Sequence, residues 1–197
     1  MKKFLLCFLS VAALTTARAQ NYYSESTTLT ADGITFSVES IYNVFYRLQN
    51  AENVYSHRPT EYLDGTNAEP WDYDPGEIDV ESFKKAFTET FTEEEGARLR
   101  DGKDAIWVAL VKNNRGEVLE VSFGARVSPR TSAIPPSKYA LYERNLKKYV
   151  RWKTITDDEK KLNIMHETRK LIFSYLVPRK IREPNPGDRV DSLVELK

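Results

Sequence analysis

Cysteine is nearly absent from this chain of 197 residues: Cys7 is the only one, and it stands inside an apolar N-terminal run. Without that segment no thiol is left, which excludes disulfides, a thiolate nucleophile and cysteine metal sites. Histidine is almost as scarce. His57 and His166 lie far apart, and His166-Glu167-Thr168-Arg169-Lys170 lacks the second histidine of a zinc-binding helix. The 8 glycines include no pair at dinucleotide or Walker spacing, and no serine sits in a G-x-S-x-G elbow. Gly and Pro (9) are too few for a collagen-like or linker-dominated chain. Long apolar runs are missing too. Phe4–Leu14 is interrupted only by Ser10, yet it falls well short of the roughly 20 residues that cross a bilayer. No membrane span is expected. A non-enzymatic role is the leading expectation. A hydrolase ranks third, because 29 acids always offer carboxylate pairs and the pairs therefore specify nothing.

The N-terminus carries an address. Met1-Lys2-Lys3 is a positive start, the apolar run follows, and Ala17-Arg18-Ala19 has the A-x-A form that signal peptidase reads. Residues 1–19 are expected to be a signal peptide, cut before Gln20, and the protein to be exported to the periplasm or the cell surface. Leu6 stands where lipidation at Cys7 would need a small residue. After the leader, charge is unevenly spread. Residues 20–129 hold 10 bases and 20 acids, and residues 130–197 hold 16 bases and 9 acids. Such asymmetry marks an interaction face or two halves that attract each other within one fold, and the second is the simpler reading. Lys147, Lys148, Arg151 and Lys153 with Tyr149 and Trp152 have the composition of a nucleic-acid patch, but export and a negative mature chain point away from nucleic acid.

Periodicity predicts an α+β fold, with a mainly antiparallel sheet and two to three helices. Asn21–Ala31 reads as a lead-in and strand, Asp32-Gly33 as a hairpin turn, and Ile34–Val38 as a half-buried strand. Ile41–Leu48 reads as a further strand after a bend near Ser40. Residues 50–76 lose the pattern and form a long loop or a set of short edges. Asp79 caps a helix whose stripe is Phe83, Phe87 and Phe91, and Thr92-Glu93-Glu94-Glu95 is the capping box of a second. Ile106–Val111 and Glu117–Phe123 form a hairpin around Asn113-Asn114-Arg115-Gly116. Pro135-Pro136-Ser137 opens a helix to Tyr149, and Thr156-Asp157-Asp158-Glu159 begins a loop or one helical turn. Arg169–Val177 reads as a last strand, with a helix over Lys161–Leu176 as its rival. The domain layout is one unit over 20–182, with any sub-boundary in 50–76, and a polar tail over 183–197.

The order strand, turn, strand, helix, strand over Ala105–Lys112, Asn113–Gly116, Glu117–Phe123, Ser137–Tyr149 and Arg169–Val177 resembles the C-terminal domain of TonB-type periplasmic proteins. The resemblance implies a last strand that accepts a strand from a partner. TonB proteins keep a membrane helix and a Pro-rich spacer, which this chain does not show, so energy transduction is not implied. As a whole, with Gln20 directly after the cleavage site, the chain also resembles small exported proteins of unknown function from Bacteroides-type bacteria.

Three candidate sites follow. The edge of the last strand, Leu171, Phe173, Ser174 and Tyr175, is the expected contact for an envelope protein, flanked by bases that suit an acidic peptide. Tyr62, Trp71 and Tyr73 in the loop over 59–81 are a candidate aromatic platform for a glycan, with anchoring of the loop as the alternative. No base stands between Arg58 and Lys84, and Asp72, Asp74 and Glu77 in this acidic stretch are candidate calcium ligands. The spacing is not that of an EF-hand, and a solvated loop facing the basic half is the alternative. No other cofactor is expected.

Overall fold

The computed structural model describes residues 22–172, apart from 24, 26, 70, 75, 102 and 103. The expected leader and polar tail lie outside the described residues. The chain runs β1 (Thr27–Ala31), β2 (Ile34–Ile41), β3 (Phe45–Asn50), β4 (Glu61–Tyr62), α1 (Val80–Thr88), α2 (Glu93–Asp101), β5 (Ala105–Asn113), β6 (Val118–Arg126), α3 (Pro136–Tyr149), a 3-10 turn (Glu159–Lys161) and β7 (Leu162–Ile172). The strands form one antiparallel sheet in the order β1-β2-β3-β6-β5-β7-β4. The fold is the expected α+β type, including the strand–strand–helix–strand order of β5, β6, α3 and β7.

One face of the sheet carries the core. Alternation along each strand points Phe36, Val38, Tyr46, Leu48, Val108 and Phe123 to the same side, where the helices cover them. Phe83 and Phe87 of α1 and Tyr139, Tyr142 and Leu146 of α3 supply the helical half. Phe91 lies beyond α1 but keeps to its stripe, stacked on Phe87 at 4.8 Å between ring centroids. Buried tyrosines need partners for their hydroxyls. Tyr46 and Tyr139 share a 2.7 Å hydrogen bond, Tyr46 also donates to the Thr131 carbonyl, and Tyr23 donates to that of Ile134. Burial pushes all three phenols above their usual range, so they stay protonated donors.

Both expected caps are present. Asp79 accepts from the Glu81 amide, while Thr92 and Glu95 bond each other's backbone amides. Two strands differ from expectation. The run from Ile41 to Leu48 is broken by a turn at Tyr42-Asn43, with φ of 51° and 55°, so β2 extends to Ile41 and β3 starts at Phe45. The turn has the positive φ values of a type I′ hairpin but no glycine to announce it. The second difference is β7. It is the strand expected rather than the rival helix, but it opens at Leu162 instead of Arg169. The adjacent Ile164 and Met165 are both buried there, which destroys the alternation that marks a half-exposed strand.

The segment over 50–76 crosses the end of the sheet and, among the described residues, contributes just the short β4, paired to β7. Its first part is tied down by Glu120 of β6. That buried carboxylate accepts the Val54, Tyr55 and Ser56 amides and the Ser56 hydroxyl. Burial alone would raise the Glu120 carboxyl, but these donors outweigh it and hold it below the ordinary glutamate value.

Candidate functional site

The helices leave the other face of the sheet open over its centre. Phe45 and Arg47 of β3, Ser122 and Gly124 of β6, and Trp107 and Ala109 of β5 line a concavity of about 320 Å³ there. Gly124 shapes it. In register it stands opposite Arg47 on one side and Trp107 on the other. Two strand spacings separate β3 from β5, about 9.6 Å, and a side chain on β6 would ordinarily keep their residues apart. With none at Gly124, the Phe45 and Trp107 rings meet edge to face, 5.7 Å between centroids at 69°. Arg47 pairs with Glu39 at 3.3 Å beside them, an exposed contact worth little on its own. The β2–β3 turn continues the surface: Tyr42 is 92% exposed, and Val44 is exposed as well. The residues of this surface were missed in sequence, because Trp107 reads as part of a buried strand and Tyr42 as a strand interior.

The acidic loop faces the basic half of the chain. Glu77 pairs with Lys153 at 2.8 Å, Thr156 donates its hydroxyl to the Asp74 carbonyl, and Ile78 bridges to Trp152. The Asp72 carboxylate accepts the Glu69 amide within the loop. The Asp72 and Glu77 carboxylates thus serve separate contacts while Asp74 offers its backbone carbonyl, and among the described residues no group of three or more His, Cys, Asp or Glu stands together to hold a metal. The aromatic trio divides as well. Tyr62 and Tyr73 pack around Ala68, Leu162 and Met165, while Trp71 is 80% exposed. Leu171 lies in β7 opposite Ile106 of β5, and β4 flanks β7 only at Leu162 and Ile164. Phe173, Ser174 and Tyr175 lie outside the described residues.

A buried ion pair, also missed in sequence, locks the loop to the sheet. Lys112 of β5 meets Glu159 at 2.6 Å, both fully enclosed, and the ammonium lies 4.2 Å from the centre of the Trp152 ring. Glu159 closes a second capping box with Thr156 and also accepts the Gly76 amide. A Cβ at Gly76 would collide with the Thr154 carbonyl and approach the Glu159 carboxylate to 2.5 Å, so only glycine fits. The histidines assemble no acid–base pair. The ring of His57 bonds Gln49, and Nε2 of half-buried His166 has no partner among the described residues.

No helix among the described residues is long and apolar enough to cross a membrane. No family model and no curated protein sequence matches the chain. Among solved structures, the chain is similar to the crystal structure of a DUF5043 family protein from Bacteroides uniformis, with a TM-score of 0.64 and 22% identity over 78% of this chain and 94% of that one. The likeness supports the Bacteroides-type resemblance read from the sequence, whereas the TonB resemblance rests on element order alone; what the comparison shows for this chain is the α+β fold it shares with that Bacteroides protein.

Proposed function

We propose that this is an exported, non-enzymatic binding module of the cell envelope, and that it takes a protein partner on the open face of its sheet at the β2–β3 turn. One observation carries the reading. Tyr42 holds a left-handed backbone at φ 51° while 92% exposed. That conformation costs a non-glycine residue about 1 kcal/mol or more, and inside this molecule the exposed ring returns no burial to offset it. Val44, Phe45 and Trp107 extend the apolar surface from the turn into the concavity. Aromatic residues beside an Arg are the side chains that anchor protein interfaces.

The test is photo-crosslinking in the envelope of the native host, with a photoreactive phenylalanine analogue at position 42 and, as control, at Lys148 on the exposed side of α3. A discrete polypeptide adduct is expected from position 42 and none from 148. The adduct should disappear when Phe45→Thr is added. No adduct, or the same adducts from both positions, overturns the proposal.

A further inference from the structure

We infer that a second cavity, on the helical side of the molecule, is a binding site for a small amphipathic carboxylate, a single anionic head on an acyl or aryl body. The cavity encloses about 420 Å³ between α2, the segment after β6 and the start of α3. Ligand pockets typically span roughly 300–1,000 Å³. Its floor is apolar: Phe91, Leu99 and Ile134, each already part of the core. Its rim carries three cations, Arg98, Arg130 and Lys138, and one acid, Glu95.

The rim charges are not equally committed. Lys138 donates to Glu95 at 2.8 Å and to the Thr90 carbonyl, so its charge is matched within the wall. Arg130 stands 3.9 Å from Asp104, beyond hydrogen-bond range. Arg98 makes no hydrogen bond or ion pair among the described residues. Two planar guanidinium forks therefore border an apolar floor with their donors largely unspent, and that geometry suits bidentate capture of a carboxylate. The first turn of α3 adds to the field. It begins behind Pro135 without a capping side chain or an acidic residue, and both Pro135 and Lys138 line the cavity. An uncharged apolar ligand would leave the arginines unused, and a bare anion would leave the floor wet. The two features together select a molecule that has both parts.

The test uses octanoate and 3-phenylpropionate as probes, with octanol and acetate as controls that each lack one part. Titration of the full chain followed by amide chemical shifts should show saturable binding of both probes. The shifts should centre on Leu99, Ile134 and Lys138. Octanol and acetate, and either probe with the Arg98→Gln/Arg130→Gln variant, should bind about tenfold more weakly or worse. Both arginines are exposed, so the variant should fold, and its unperturbed amide spectrum checks this. The Tyr42→Asn variant should bind octanoate unchanged, which separates this site from the partner surface. Octanol binding as tightly as octanoate, undiminished binding by the arginine variant, or no saturable shifts at millimolar probe would overturn the inference.

Discussion

At the scale of single residues, buried charge decides most of what holds the connecting segments in place. Glu120 and Glu159 each gather several donors from a segment with little regular structure, and each loses water to do so. Burial by itself would raise the Glu159 carboxyl. The bonds from Lys112 and from the Gly76 and Thr156 amides outweigh it, so the group is held below its ordinary value of 4.5. Replacing Glu159 by Gln leaves the Lys112 ammonium buried beside a neutral amide, and is expected to cost about 3 kcal/mol at neutral pH, read by urea unfolding. The sign with pH follows from the direction of the shift. The contribution of the carboxylate is complete above its unfolded value and is lost as pH falls through the lower folded value. Wild type and variant should therefore converge in acid, and an unchanged gap there would count against ionisation as the source. Neither Lys112 nor Glu159 stood out in the sequence. A lysine in a strand and a T-x-x-E motif are ordinary until the fold brings them together.

Among the elements, legibility followed local signals. The Asp32-Gly33 turn, the Asp79 and Thr92 caps and the α1 stripe all rest on contacts within a few residues, and each formed as read. The Tyr42-Asn43 turn and the start of β7 did not, because neither displays its usual residue pattern. The open face depends on one position, Gly124, whose importance comes from neighbours on two other strands. Its backbone leaves room. A Cβ there would meet the Tyr46 carbonyl at 3.7 Å and the Trp107 Cβ at 3.9 Å, both ordinary contacts. Gly124→Val is thus expected to keep the fold, with stability changed by no more than about 1 kcal/mol. It should part the Phe45 and Trp107 rings and abolish the adduct at position 42. Paired urea unfolding and crosslinking would check this, and a folded Gly124→Val protein that still gives the adduct would place the contact elsewhere.

For the molecule as a whole, the charge asymmetry has an internal use. Glu95–Lys138, Asp32–Arg144 and Glu77–Lys153 each join an acid of the first part to a base of the second. These pairs are partly exposed and individually weak. They nonetheless show where acids of the first stretch meet bases of the second. The proposed export rests on the sequence of residues 1–19. The mature protein recovered from the envelope is expected to have the intact mass of a chain beginning at Gln20. A mass that retains residues 1–19, or a lipid adduct at Cys7, would refute this.

Composition and local pattern alone determined the fold class, the helices with their caps and the central hairpin, because those depend on residues near one another along the chain. Tertiary structure decided the rest. It covered one face of the sheet and left the other open, sent Tyr62 and Tyr73 into packing while Trp71 stayed in solvent, and spent Glu77 on Lys153. It also placed two arginines over an apolar floor. Side chains acquire such roles from neighbours many residues away, and a pattern read along one chain carries no record of which strand lies beside which.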